Sequence, residues 1–126
     1  AGYRRLAYCD RMDTAIAASD MAVSRAGSST VSEFAACGTP AIYVPYPVGN
    51  GEQKFNAVTI VEAGGGKLVA DADFSTDYIS AELIPAISQT SNLRRMAEAA
   101  KSVGIPDATE RLRDLVLAAV NTNTRD

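Results

Sequence analysis

Residues 20–33 read DMAVSRAGSSTVSE and contain the clearest strand-to-helix transition of the chain. Asp20–Ser24 has the composition of a short buried strand, and Thr30 to Cys37 has the apolar spacing of a helix that stops at Gly38. A small, hydroxyl-rich turn stands between them. Such a transition is typical of parallel α/β folds, where the turn lies at the carboxyl edge of the sheet.

Strand-like and helix-like segments alternate through the first half of the chain. Strands are expected over Tyr3–Tyr8, Asp20–Ser24, Pro40–Pro45 and Lys67–Ala70, and helices over Arg11–Ala18 (capped by Asp10), Thr30–Cys37 and Gln53–Ala63. The alternation predicts a Rossmann-like α/β domain, a parallel sheet with helices on both faces. Since such sheets usually carry more than four strands, we expect the domain over 1–126 to be incomplete at its amino terminus, with strands preceding Ala1.

The second half predicts a helical tail over about 75–120. Its helices are expected from Ser75 or Thr76 to Ile87, from Leu93 to Val103, and from a capping box at Asp107–Glu110 to Val120.

Composition argues against several classes of function. The 126 residues carry a net charge of −3, so there is no basic footprint for nucleic acid. No apolar run approaches the roughly 18 residues of a membrane span. Cys9 and Cys37, without a secretory signal, indicate reduced thiols. The chain has no histidine, its acidic residues are scattered, and neither a metal site nor a cofactor is predicted.

Three loops at expected strand ends predict one ligand crevice. They are YCD at 8–10, RAGSST at 25–30 and YPVGNGEQ at 46–53. Ligands of open α/β sheets bind outside the carboxyl ends of the strands, where these loops would meet. A crevice of this kind suits a nucleotide.

The turn at 25–30 has the residues of a phosphate site. Ser28, Ser29 and Thr30 open a helix, where free N–H groups and the positive dipole end favour an anion, and Gly27 is expected to allow a tight turn. The alternative is that Ser29 or Thr30 only caps the helix, and the two roles are compatible. Arg25 either neutralises phosphate charge or pairs with a local carboxylate.

Glu33 has two interpretations. Thr30-Val-Ser-Glu33 fits a capping box, in which the glutamate bonds back to the cap residue. Alternatively, Glu33 shares a stripe with Thr30 and Cys37 that faces the crevice, where its carboxylate would accept hydrogen bonds from ribose hydroxyls.

Polar residues also follow the third loop. Glu52, Gln53 and Asn56 stand at the start of the next helix, after a Gly-Asn-Gly turn. Their carboxylate and amides can pair with several hydroxyls of a sugar, or they form a plain solvated helix start.

Nearly the whole chain, from Tyr3 through IPDATERLRDLVL, resembles the carboxy-terminal domain of glycosyltransferase family 28, in its actinobacterial form. The most specific elements are SRAGSSTVSE and the Q-x-x-N-A pattern at Gln53, Asn56 and Ala57. The resemblance implies a GT-B fold, in which two Rossmann-like domains face a cleft. This chain would be the carboxy-terminal half, which binds the donor UDP-N-acetylglucosamine.

The resemblance also implies the reaction. In it, N-acetylglucosamine passes to undecaprenyl-pyrophosphoryl-N-acetylmuramoyl-pentapeptide, converting lipid I to lipid II in peptidoglycan synthesis, and hence serves cell shape and division. The muramoyl C4 hydroxyl displaces UDP with inversion. The enzyme would be peripheral, on the cytoplasmic face of the plasma membrane. Acceptor site and catalytic base would belong to the amino-terminal domain, so no catalytic residue is expected here and the fragment alone is expected to be inactive.

Family roles carry over to matching positions. Tyr8 and the Cys9 backbone would border the uracil, and Glu33 would accept hydrogen bonds from the ribose hydroxyls. Ser28, Ser29 and Thr30 would contact the diphosphate or the donor sugar. Glu52 and Gln53 would contact the sugar, with Asn56 nearby. The chain departs from many relatives at Glu52, where they have glutamine, and at Val48, where they have histidine.

Other functions fit the same residues. One is a GT-B enzyme for a different nucleotide sugar, and another is a non-catalytic nucleotide-sugar module or a helical partner-binding domain. An open sheet edge would also allow a homodimer of the fragment.

Overall fold

The computed structural model describes residues 2–123. Within them, three parallel strands form one sheet in the order β1-β2-β3. These are β1 Ala22–Ser24, β2 Ala41–Tyr43 and β3 Gly66–Leu68. In register, Val23 pairs with Ile42, and Ile42 pairs with Lys67. The predicted parallel α/β architecture is confirmed.

The helices before β3 are short, and the longest ones follow it. They are α1 Met12–Ala17, α2 Ser28–Cys37, α3 Gln53–Asn56, α4 Val58–Glu62, α5 Thr76–Tyr78, α6 Ile84–Ser88, α7 Thr90–Val103 and α8 Ala108–Asn123. A 3₁₀ turn lies at Asp71–Asp73, and a π-helical segment, Ile79–Leu83, joins α5 to α6. None of the described helices is both long and apolar enough to cross a bilayer.

The central strand β2 separates two apolar cores. Successive side chains of a strand point to opposite faces. Tyr43 packs into a cluster with Phe34 of α2 and Ile60 of α4, while Ile42 packs with Val69 on the other face. The second cluster is covered by Met21, Phe74, Tyr78 and Leu83. Helical segments therefore cover both faces of the sheet, as the alternation predicts.

The predicted strand over Tyr3–Tyr8 is wrong. Residues 3–8 are coil with a bend at Ala7 and pair with no strand among the described residues, and Tyr8 is 81% exposed. A strand needs a neighbour for its backbone N–H and C=O groups, which a local apolar pattern does not provide. β1 consequently has a strand on one side only in the described region, and Val23 is partly exposed rather than buried.

Two predicted helix caps are also wrong. Arg11, not Asp10, occupies the N-cap position of α1, and it pairs with Asp13 instead of capping. Before α8, the Asp107 carboxylate accepts a hydrogen bond from Arg111 Nε at 2.9 Å, which occupies it in place of a capping box. At α8 the charged guanidinium of Arg111 holds the Asp107 carboxylate. At α1 the helix begins at Met12, one residue later than predicted, so Asp10 lies outside the N-cap position.

Other boundaries shift by a few residues. The helix expected over Gln53–Ala63 is two helices that break at Ala57, which is fully buried. The predicted start at Ser75 is confirmed, because its Oγ accepts a hydrogen bond from the Tyr78 amide at 3.2 Å. The stop of α2 is confirmed too: Gly38 has φ 72°, which favours glycine.

Candidate nucleotide-binding site

The turn after β1 leads directly into the amino terminus of α2. The helix begins at Ser28, two residues earlier than predicted, with Gly27 at the N-cap and no side-chain cap. The first backbone hydrogen bond runs from the Val31 amide to the Gly27 carbonyl at 3.0 Å. The amides of residues 28–30 therefore have no partner within the helix, and no acidic side chain lies in its first turn. The end of α2 is open to an anion.

Gly27 itself is not in a glycine-only conformation. Its φ of −63° and ψ of 146° are a conformation that other residues also adopt, so the turn does not depend on the conformational freedom of glycine. A Cβ built at this position would meet only Thr30 Oγ1, at 3.8 Å. A small side chain would therefore fit at residue 27.

Glu33 does not close a capping box. Thr30 is the third residue of α2 rather than its N-cap, so the register that the box requires is absent. The Glu33 side chain is exposed and has no hydrogen bond or ion pair with any described residue. Val31 and Phe34 are buried on the opposite stripe, as expected. The Glu33 carboxylate is thus available to a ligand.

The loop after β2 is held by a side chain at its far end. Gln53 Oε1 accepts a hydrogen bond from the Tyr46 amide at 2.9 Å. Between them the chain turns at Gly49 (φ 96°) and Gly51 (φ 66°), where left-handed backbone favours glycine. Glu52 is exposed and makes no capping bond. The loop thus presents one free carboxylate and the Nε2 group of Gln53 at the carboxyl edge.

Asn56 connects this loop region to the turn before α2. Its Nδ2 donates to the Ala26 carbonyl at 2.9 Å. Ala26 is fully buried and directly precedes the N-cap of α2. The structure therefore joins the two loops that the sequence places in one crevice.

Arg25 pairs with a carboxylate of the protein, which is one of the two roles that the sequence allows. Its Nη1 donates to Asp71 Oδ1 at 2.5 Å and to the carbonyls of Val44 and Pro45 at 3.2 and 3.3 Å. The guanidinium carbon lies 5.5 Å from the centre of the Tyr46 ring. Arg25 thus contacts the segments that follow all three described strands.

Sequence reasoning missed Asp71 and Tyr46. Asp71 follows the segment predicted as the last strand, so the rule that strand ends face the ligand would have included it. Tyr46 was within a named loop, but its contact with Arg25 has no local signature.

Tyr8 and Cys9 are not joined to these loops. No hydrogen bond links either residue to residues 25–30 or 44–53 within the described chain. The structure also brings no three Cys, Asp or Glu side chains of residues 2–123 together in the manner of a metal site.

A pocket of about 260 Å³ opens beside the loop after β2. It is lined by Pro45, Tyr46, Pro47, Gly51, Lys54, Leu68, Ala70 and Asp71. The carboxyl edge of the sheet is therefore concave next to the polar loop.

These features define a class of protein: a Rossmann-like α/β domain in which an uncapped helix amino terminus and polar side chains follow the strands. The family model described as "Glycosyltransferase family 28 C-terminal domain" matches residues 2–112. The chain belongs to this family, as its motifs predict.

Similar proteins share one name. Over 118 residues the chain is 54% identical to the UDP-N-acetylglucosamine--N-acetylmuramyl-(pentapeptide) pyrophosphoryl-undecaprenol N-acetylglucosamine transferase of Clavibacter sepedonicus, covering 94% of this chain and 32% of that protein. It is 50% identical over 115 residues to the protein of that name from Mycolicibacterium smegmatis, covering 91% of this chain and 30% of the relative.

A solved structure shows the same fold. The crystal structure of MurG from Acinetobacter baumannii superposes with a TM-score of 0.79 at 28% identity, covering 90% of this chain and 33% of that chain. The chain spans about a third of the length of the curated relatives it matches.

Proposed function

We propose that this chain is the donor-binding part of an inverting glycosyltransferase. The proposed reaction transfers N-acetylglucosamine from UDP-N-acetylglucosamine to undecaprenyl-pyrophosphoryl-N-acetylmuramoyl-pentapeptide. The observation that carries the proposal is the unpaired carboxylate of Glu33 on the helix whose open amino terminus faces the carboxyl edge. The names of the relatives supply the nucleotide sugar and the acceptor.

The diphosphate would lie at the start of α2. The free amides of residues 28–30, together with the hydroxyls of Ser28 and Ser29, offer donors to phosphate oxygens. The positive end of the helix dipole favours the same charge. No acidic side chain in the first turn opposes it.

The ribose would lie against Glu33. Glu33 stands five positions after Ser28, which is roughly 7.5 Å along a helix axis at 1.5 Å per residue. Side chains of a helix tilt toward its amino terminus, so the carboxylate reaches back toward the phosphate end. A carboxylate accepts two hydrogen bonds from neighbouring hydroxyls, which suits the 2′ and 3′ positions of a ribose.

The sugar would meet the loop after β2. Glu52 and Gln53 supply a free carboxylate and an amide at the same edge. Asn56 contributes by fixing Ala26 through its Nδ2 group, and its Oδ1 would accept a hydrogen bond from a sugar hydroxyl. Tyr8 and Cys9 remain the proposed neighbours of the uracil.

The chemical role of this chain would be to stabilise the negative charge that develops on the leaving UDP. When the acceptor hydroxyl attacks the anomeric carbon, the bond to UDP breaks and charge develops on the diphosphate oxygen that leaves. Pre-oriented amides and the dipole of α2 stabilise that charge. The base and the acceptor site are proposed to lie outside these 126 residues, on an enzyme bound to the cytoplasmic face of the membrane.

Titration calorimetry on the full-length gene product tests the proposal. We expect UDP and UDP-N-acetylglucosamine to bind, and TDP-glucose and UDP-glucose to bind more weakly. Equal affinity for all nucleotide sugars would instead favour a different transferase, and absence of UDP binding would contradict the proposal. If the protein bound UDP-N-acetylglucosamine but transferred no N-acetylglucosamine to lipid I, it would be a non-catalytic nucleotide-sugar module.

A further inference from the structure

We infer that Arg25 is a positioning residue for the donor site and that Asp71 orients it. The inference rests on the proposed function and concerns how the two ligand-facing loops are held. Neither residue needs to touch the substrate for this role.

A single guanidinium joins the ends of the three described strands. Arg25 follows β1 and donates to Val44 and Pro45, which follow β2, while Asp71 follows β3. We call these four residues the strand-end clamp. Its bonds span 19, 20 and 46 positions of sequence, so the clamp fixes the relative positions of loops that the backbone alone leaves independent.

The clamp acts on the residues proposed to bind the donor. Arg25 immediately precedes Ala26, the acceptor of the Asn56 bond, and so sets the entry to α2. On the other side, its guanidinium lies against Tyr46, whose amide is bonded to Gln53. Displacement of Arg25 would therefore move the phosphate end and the sugar loop relative to each other.

The residue types fit this task. The three bonds of Arg25 all come from Nη1, while the planar guanidinium also lies over the Tyr46 ring. A lysine ammonium is a compact point charge with no planar face to stack on that ring. The side chains of Arg25 and Asp71 are 49% and 40% exposed. Exposed ion pairs contribute little to global stability, so an effect on the site can be separated from an effect on folding.

The test compares Arg25→Lys, Arg25→Met and Asp71→Asn in the full-length gene product. Lys67→Met is the matched control, because it removes another half-exposed ion pair, Lys67 with Glu82 at 3.2 Å, outside the proposed site. UDP affinity and the KM for UDP-N-acetylglucosamine are measured together with Tm. Hydrogen exchange of the Tyr46 amide provides a readout that needs no ligand.

We expect each clamp variant to weaken UDP binding and raise the donor KM about tenfold, as misplacement of binding groups does, and to speed exchange at Tyr46. The Tm should stay close to that of the wild type, and the control should change none of these values. Asp71→Asn in the Arg25→Met background should have no further effect, since Asp71 acts through Arg25.

The failures are distinguishable. If the wild-type protein does not bind UDP, the proposed function is wrong, while exchange at Tyr46 still tests the clamp. If the wild type binds UDP and the clamp variants bind it equally well, the inference is overturned. Additive losses in the double variant would also overturn it, because Asp71 would then act independently.

Discussion

The Asn56 side chain donates from Nδ2 to the carbonyl oxygen of Ala26, 2.9 Å away, and joins α3 to the turn before α2, 30 positions earlier in the sequence. Ala26 is fully buried and stands one residue before the N-cap of α2. The bond therefore ties the amino terminus of α2, where the diphosphate is proposed to bind, to α3, which follows the loop after β2.

Replacing Asn56 with alanine should reduce stability and donor affinity together. The buried Ala26 carbonyl loses its partner, which costs about 1–3 kcal/mol, and the start of α2 is released. Urea unfolding and UDP titration measure the two effects. Asn92→Ala is the control, since the hydrogen bonds of its side chain go to Arg95 and Met96, on its own helix. Wild-type UDP affinity in Asn56→Ala would show that the bond serves folding alone.

Gly27→Ala should weaken ligand binding at the amino terminus of α2 while it changes the stability of the helix little. The new methyl group points into open space apart from Thr30 Oγ1, and φ is already negative, so we expect a stability loss of no more than about 1 kcal/mol. UDP binding should weaken clearly, because the methyl group occupies the proposed diphosphate position. Unchanged binding would place the diphosphate elsewhere.

Gly104→Ala should destabilise the fold without any specific effect on the donor. Gly104 follows α7 where it packs on α2, and an added Cβ would lie 2.3 Å from the Ala35 carbonyl oxygen. Forcing a methyl group into such a contact costs about 1–3 kcal/mol or more. Thermal unfolding measures the loss against Gly2→Ala, whose Cβ would meet nothing within 4 Å. A wild-type Tm would mean that α7 does not pack this closely.

Tyr43→Phe should make the protein more stable. The side chain is fully buried, and its hydroxyl has no hydrogen-bond partner among the described residues. Removing an unpaired buried hydroxyl is expected to gain about 1 kcal/mol in the free energy of unfolding. Chemical denaturation tests this, and a loss of stability would reveal a partner for the hydroxyl.

The same residue predicts a specific alkaline dependence. Burial raises the pKa of Tyr43 from 10.0 to about 12. Between these values the unfolded chain loses the phenol proton while the folded chain keeps it, so stability falls by about 1.4 kcal/mol per pH unit. Below pH 10 this residue adds no slope. The difference between wild type and Tyr43→Phe should therefore change only above pH 10, and a constant difference up to pH 12 would contradict the assignment.

Local sequence patterns predicted the elements that are determined by a buried apolar run or by a single residue at a helix end. The apolar run around Ile42 and the glycine at Gly38 gave β2 and the end of α2. The strand expected over Tyr3–Tyr8 failed because pairing is a long-range property, and no described strand lies beside it.

Candidate site residues followed the same division. The placement of Glu33 on the helix that follows β1 could be predicted, because the order of strand and helix determines it. The absence of a capping bond at Glu33 could not be predicted. The T-x-x-E pattern stands in the sequence wherever the helix begins, and only the observed start at Ser28 shows that Thr30 is not the N-cap. The pairing of Arg25 with Asp71 spans 46 positions and has no local signature.

The contact between Glu33 and the ribose is tested most directly by comparing UDP with 2′-deoxy-UDP on the wild type and on Glu33→Ala. Glu98→Ala, an exposed glutamate of α7, serves as the control. A hydrogen bond to a charged group contributes about 1.5–3 kcal/mol, so the wild type should prefer UDP by roughly 10- to 150-fold. Glu33→Ala should bind both nucleotides with equally low affinity and unchanged Tm. If Glu33→Ala keeps the preference of the wild type for UDP, Glu33 does not recognise the ribose.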